Sequence, residues 1–118
     1  MLLKVLRAKI HRATVTQAEV DYVGSITIDP DLTEAAGMLP GEAVLVADMT
    51  DGARFETYVM LGKRGSGTVC VNGAAARLVR VGDEVIIMAF GYVEPEEAAK
   101  LEPCVVLVDD KNRVVKKL

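Results

Sequence analysis

Val44-Leu45-Val46-Ala47-Asp48-Met49-Thr50-Asp51-Gly52-Ala53-Arg54-Phe55-Glu56-Thr57-Tyr58-Val59-Met60 carries the clearest structural signal in the chain. A β-branched run, an Asp-Gly pair and a second run of alternating polarity predict two antiparallel strands joined by a tight turn. On either side, similar short runs broken by Gly, Asp and Pro predict strands over 4–15, 25–28, 68–71, 84–91, 105–108 and 113–115. So many strands in 118 residues predict a mainly β domain, a compact barrel with short helices on its connections. A sandwich satisfies the same pattern, and periodicity does not choose between them.

Helical signals are few. Asp29 followed by Pro30 predicts a capped start for a helix through Leu32 to Ala36, which Gly37 would stop. Asn72 is placed to cap a turn through Gly73-Ala74-Ala75-Ala76-Arg77, and Pro95 opens a short segment to Lys100. There is no repeat or linker, so a single domain over 1–118 is expected.

Composition narrows the function. A net charge of −3 with interspersed signs offers no basic field for nucleic acid. No apolar run approaches a membrane span, and the first residues lack the apolar core of a signal peptide, so a cytoplasmic location is expected. Cys70 and Cys104 lack ligand spacing and are expected as buried, reduced thiols rather than a disulfide. His11 is the single histidine, and there is no Walker A sequence, GxGxxG or HExxH, so no metal site is expected.

Decarboxylation and related amine chemistry need an electron sink that ordinary side chains supply poorly. A chain can make one at a Gly-Ser peptide. The serine hydroxyl attacks the preceding carbonyl, the amide becomes an ester, and elimination with hydrolysis leaves an N-terminal pyruvoyl group. Glycine leaves that carbonyl unhindered and tolerates a strained backbone. Two such pairs exist, Gly24-Ser25 and Gly65-Ser66. The second lies in Gly65-Ser66-Gly67, which reads as a loose turn, while Gly24-Ser25 directly precedes the strand-like Ile26-Thr27-Ile28. On these residues alone, a common turn dipeptide is the stronger reading of either.

Strand periodicity puts Lys9 and His11 on one face, and Arg54, Glu56 and Tyr58 on another, with Thr57 opposite. Each face could be a plain solvated one, the second carrying an ordinary salt bridge. A non-catalytic barrel holding a small anion, or a barrel enzyme for acidic substrates without a covalent cofactor, also fits these residues.

A resemblance ties them together. Lys9-Ile10-His11-Arg12-Ala13, Tyr22-Val23-Gly24-Ser25, Arg54-Phe55-Glu56-Thr57-Tyr58 and Val71-Asn72-Gly73-Ala74-Ala75-Ala76, in this order and spacing, closely resemble the bacterial aspartate 1-decarboxylase family. Val81-Gly82-Asp83, Ile28-Asp29 with Asp31-Leu32, and Ala35-Ala36-Gly37 also look like family segments; Asp21 and Ile26 fall at variable positions. The resemblance extends to about Glu97 and is less informative beyond it.

It implies a double-psi β-barrel and a homotetramer with active sites between subunits. It implies cleavage at Gly24-Ser25 into a β-chain of 1–24 and an α-chain of 25–118, with a covalent pyruvoyl cofactor made from Ser25 and no metal. The implied reaction is decarboxylation of L-aspartate to β-alanine and CO2 for pantothenate biosynthesis; a maturation partner is left undefined. By the same resemblance Ser25 and Tyr58 are catalytic, Tyr58 as proton donor to the substrate Cα. Lys9, Arg54, Thr57, Gly73, Ala74 and Ala75 bind substrate, and His11, Tyr22 and Asn72 support the site, Tyr22 as a packing neighbour. Asn72 could also hold the oxyanion of the serine rearrangement. Tight ionic binding of the leaving carboxylate would oppose its loss, so Lys9 and Arg54 are expected on the retained β-carboxylate.

Overall fold

The computed structural model describes residues 1–118. In chain order the elements are β1 (Leu3–Thr14), β2 (Gln17–Glu19), β3 (Ser25–Ile28), α1 (Pro30–Ala36), β4 (Ala43–Asp48), β5 (Arg54–Leu61) and β6 (Val69–Asn72). A 3-10 helix (Gly73–Leu78), β7 (Glu84–Val93), α2 (Pro95–Ala98), β8 (Cys104–Val108) and β9 (Val114–Lys117) complete it.

The β4–β5 hairpin forms as its sequence predicts, pairing Val46 with Phe55 and Leu45 with Glu56. Its turn is closed by side chains: Asp48 accepts from the Thr50 N–H at 2.7 Å and Asp51 from the Ala53 N–H at 2.9 Å. Such Asx contacts give the turn's backbone donors local partners. Register is then set by burial. Val59 is fully buried while neighbouring Tyr58 is exposed, so a slip of one residue would put a phenol in the core.

Strands are ordered β2-β6-β3-β5-β4-β7-β1-β8-β9. Only Val15 and Thr16 separate β1 from β2, and both stay tied to the wall. The Val15 N–H donates to the Asp83 carbonyl and the Thr16 N–H to the Val69 carbonyl, each at 2.8 Å. One continuous run of chain therefore pairs first with β7 and then with β6, and the ring closes on itself. The result is a double-psi β-barrel of β1–β2, β6, β3, β5, β4 and β7, with the β8–β9 hairpin laid parallel along β1. This closure separates barrel from sandwich, and it depends on contacts distant in sequence. A bulge after Ile10, with Arg12 at φ 65°, bends the run as it passes from one neighbour to the next.

Ile10, Ile26, Ile28, Val46, Val59, Val71 and Ile87 fill the barrel, and Leu32 of α1 joins the same cluster. Each such side chain contributes about 1.5–3 kcal/mol on burial. Asp29 caps α1 by accepting from the Asp31 N–H at 2.9 Å, and Gly37 ends it. The expected cap by Asn72 is absent: its side chain makes no bond to the 3-10 helix that follows. Cys70 and Cys104 are free thiols, the first buried and the second half-buried. No helix is long and apolar enough to cross a membrane.

Candidate active site at the Gly24-Ser25 peptide

Ser25 opens β3 directly opposite Asn72, the last residue of β6. Paired residues of neighbouring strands share a face, so the two side chains meet. Both are nearly inaccessible, at 2% and 3% exposure. Asn72 Nδ2 donates to Ser25 Oγ at 3.1 Å and to Thr27 Oγ1 at 3.0 Å. The Ser25 hydroxyl donates in turn to the Val23 carbonyl at 3.1 Å. On the other side of the amide, the Cys70 thiol donates to Asn72 Oδ1 at 3.2 Å. These bonds explain why Asn72 is no cap: its amide is drawn sideways across the sheet.

Gly73 follows with φ 78°, in the left-handed region that favours glycine. A Cβ there would stand 2.6 Å from Gly24 Cα and 3.0 Å from Gly24 N. Its backbone therefore packs directly on the Gly24 peptide, a role invisible in the motif itself. Ala74 is exposed and Ala75 half-buried just beyond it.

One expectation needs correction. Gly24 does not lie in left-handed backbone, and a Cβ on it would meet nothing within 4 Å, so strain is not what distinguishes this glycine. Tyr22 is 63% exposed in the single chain, beside Val23 at 70%, because the segment before Ser25 runs over its surface.

The remaining candidates lie on the outer wall. Arg54, Glu56 and Tyr58 point outward from β5, and Phe55 and Val59 inward. Thr57 is on the inward-facing side by the same alternation and is half-buried, so its separation from Tyr58 stands. The parallel register pairs Ile26 with Val59; carried back by one residue, it sets Ser25 beside Tyr58 on a common face. Lys9 and His11 are half-buried and face away from Ile10. Lys9 pairs with Met88, which pairs with Leu45, which pairs with Glu56. By this route β7, β4 and β5 stand between Lys9 and Ser25, and by the other the chain runs on from Lys9 to β2 before β6 brings it beside β3. Neither Lys9 nor Arg54 forms an ion pair, and the Arg54–Glu56 bridge of a plain solvated face is absent, whereas Arg7, Arg12 and Arg64 are each bound to carboxylates.

Residues 1–115 match the family described as aspartate decarboxylase. The chain belongs to the aspartate decarboxylase family. It is 59% identical over 118 residues to the aspartate 1-decarboxylase of Lactiplantibacillus plantarum, covering 100% of this chain and 91% of that one. It is 60% identical over 116 residues to the aspartate 1-decarboxylase of Caldicellulosiruptor saccharolyticus, covering 98% and 91%. For that of Chloroherpeton thalassium the identity is 59% over 113 residues, covering 96% and 83%.

A pyruvoyl group, which an aspartate decarboxylase implies, would replace Ser25 itself. The local residues fit it. The hydroxyl that would have to react is buried, held by a donor, and flanked by an uncrowded glycine whose backbone Gly73 abuts. Two members of this polar cluster, Thr27 and Cys70, are not among the site residues that the sequence assigns. A signal for both exists in the period of two: Thr27 follows Ser25, and Cys70 precedes Asn72, each by one alternation.

The Gly65-Ser66-Gly67 turn is not loose, against expectation. Asp29 accepts from the Gly65 N–H at 3.1 Å and the Gly67 N–H at 2.8 Å. Burial would raise the Asp29 carboxyl, but the N–H groups of Asp31, Gly67 and Gly65, with Arg64 beside it, hold it below the usual carboxylate range. The turn borders an open polar cavity of about 580 Å³ shared with Thr16, Lys111 and Asn112. No group of His, Cys, Asp and Glu side chains is arranged to hold a metal ion.

Proposed function

We propose that this chain converts L-aspartate to β-alanine and CO2, using a pyruvoyl group that it makes by cutting itself between Gly24 and Ser25. The single observation that carries this reading is the buried Ser25 hydroxyl, bound at 3.1 Å by the Asn72 amide next to a glycine peptide that Gly73 abuts.

In the precursor, Ser25 Oγ attacks the Gly24 carbonyl carbon. The amide C–N bond breaks as the ester C–O bond forms, and the hydroxyl proton passes to the amide nitrogen. Loss of the Ser25 Cα proton then breaks the ester, leaving a carboxylate on Gly24 and dehydroalanine at residue 25. Hydrolysis releases ammonia and leaves the pyruvoyl group at the head of chain 25–118, with 1–24 as the second chain of a single domain. Asn72 holds Oγ beforehand, and the same Nδ2 is the donor assigned to the oxyanion that the attack creates.

Once formed, the pyruvoyl carbonyl supplies the electron sink that lets an amino acid lose its α-carboxylate. Lys9 and Arg54 hold the retained β-carboxylate, because binding the leaving group tightly would stabilise the ground state. Tyr58 keeps a proton on its phenolic oxygen and delivers it to Cα after CO2 departs. Thr57, Ala74 and Ala75 line the substrate, and His11 supports Lys9 along β1. Lys9 stands several strands from Ser25 by the pairing through β7, β4 and β5, and a neighbouring copy that supplies it would complete the site, in keeping with a homotetramer with sites at subunit boundaries. Free cysteines suit the cytoplasm.

Intact mass and a β-alanine assay test the reading together. Two chains, the larger ending its N-terminus in pyruvoyl, with β-alanine released from aspartate, is the expected result. One uncut chain that binds aspartate without releasing CO2 would replace the enzyme with an anion-binding barrel.

A further inference from the structure

We propose that Cys70 is a positioning residue for self-cleavage, its thiol fixing the Asn72 amide so that Nδ2 rather than Oδ1 meets the Ser25 hydroxyl. This rests on the reading that the chain cuts itself at Gly24-Ser25.

A side-chain amide has two ends of nearly equal shape, and its partners decide which way it lies. Thr27 cannot decide, because its hydroxyl serves as donor or acceptor to either end. Ser25 has one hydroxyl hydrogen, and it points to the Val23 carbonyl. Its oxygen therefore requires a donor from Asn72. What holds the amide in that sense is the opposite end, where Oδ1 lies 3.2 Å from Cys70 Sγ.

A thiol that keeps its proton is a donor there and a poor acceptor. Burial pushes the Cys70 thiol up, and the nearby Glu19 adds to the effect, so the proton stays on. Register supports the geometry: Cys70 pairs with Thr27 and Asn72 with Ser25, so these side chains share one face of β6 and β3. With the amide reversed, Oδ1 would compete with the Val23 carbonyl for the Ser25 hydrogen, and Nδ2 would face sulfur. The cleavage-competent hydroxyl would then be a minor state.

The test is the cleavage rate of fresh precursor, followed by intact mass, with thermal unfolding of each variant alongside. Cys70→Ala is expected to slow cleavage about tenfold, as loss of one hydrogen bond does. Cys70→Ser, which restores a donor, should recover most of the rate, and Cys70→Val, which fills the space without one, should not. The Cys70→Ala/Asn72→Ala double variant should be no slower than Asn72→Ala alone, because Cys70 acts through Asn72. Wild-type cleavage in Cys70→Ala and Cys70→Val beside a slow Asn72→Ala overturns the role of Cys70 only. Equal slowing in the serine and alanine variants also overturns it, assigning the residue to packing. Normal cleavage in Asn72→Ala removes the role of Asn72 and this inference with it, while cleavage that persists in Ser25→Ala removes the underlying reading.

Discussion

Gly24-Ser25 and Gly65-Ser66 are the same dipeptide held in two different ways. Ser66 is exposed and its hydroxyl is spent locally, donating to the Lys63 carbonyl at 2.5 Å and accepting from the Thr68 N–H at 3.2 Å. Its glycine neighbours take φ of 78° and 71°, and Asp29 pins both of their N–H groups. Ser25 is buried, and its oxygen is met by a side-chain donor from another strand. Gly24 before it takes no left-handed backbone. The more contorted and firmly tied backbone is thus at the pair assigned no chemistry. What singles out Gly24-Ser25 is burial of the nucleophile and a polar donor brought from β6, not stored strain.

The largest expected effect contrasts the two serines directly. Ser25→Ala removes the attacking oxygen and should leave one uncut chain indefinitely, whereas Ser66→Ala should cleave at the wild-type rate. Denaturing electrophoresis separates the outcomes, and two chains from the Ser25→Ala protein would end the assignment.

Next in size is the separation of cutting from turnover. Tyr58→Phe keeps the ring and loses only the hydroxyl, so the protein should still cut at Gly24-Ser25. Its kcat should fall by ~10²–10⁴, the usual contribution of a general acid. Arg54→Ala should mainly raise KM for aspartate, losing a charge-assisted contact of about 1.5–3 kcal/mol. Fully cut Tyr58→Phe enzyme with near wild-type kcat would free Tyr58 of its role.

How much of this was legible in the sequence divides along the same line. The Asp51-Gly52 hairpin and the Asp29-Pro30 to Gly37 helix were readable because their signals act within a few residues. The 3-residue strand β2 was not, being too short to carry a period. Barrel closure was not either, since it depends on Val15 and Thr16 bonding to residues more than fifty positions away. Asn72 read as a cap because capping is local, but its partners Ser25 and Thr27 lie 47 and 45 residues back. The turn at 65–67 read as loose for the same reason: its tether, Asp29, is 36 and 38 residues away. The family motif names candidate residues for the site, yet motif order alone does not say which of them meet within one chain.

Glycine substitutions test the two backbones at a smaller scale. Gly73→Ala places a Cβ 2.6 Å from Gly24 Cα at positive φ, so backbone must move at the cleavage site itself. Its cleavage should be slowed more than tenfold, with a lowered melting temperature. Gly65→Ala meets open space and carries only the conformational penalty of about 1 kcal/mol, with normal cleavage. Equal cleavage in both variants would show that the Gly73 contact is immaterial to cutting.

The smallest effect concerns the pinned turn alone. Asp29→Asn keeps an oxygen that can cap α1, but replaces the oxygen that accepts from the buried Gly67 N–H with an amide that can only donate. An unsatisfied buried donor costs about 1–3 kcal/mol, so the variant should melt a few degrees lower at neutral pH. The folded-state carboxyl titrates below its unfolded value because the three N–H groups favour its charged form over the opposing effect of burial. A depressed carboxyl stabilises the fold above the unfolded value of about 3.9, and that contribution fades as pH falls through the folded value. The gap between wild type and Asp29→Asn should hold steady from pH 7 to about 5 and narrow below about 4 as the wild type loses the same charge. Cleavage at Gly24-Ser25 should be untouched throughout, because the Asp29 carboxylate bonds to the start of α1 and to the 65–67 turn and to neither Gly24 nor Ser25. Melting curves that stay parallel from neutral pH to pH 3 would show that the charge on Asp29 does not hold the turn.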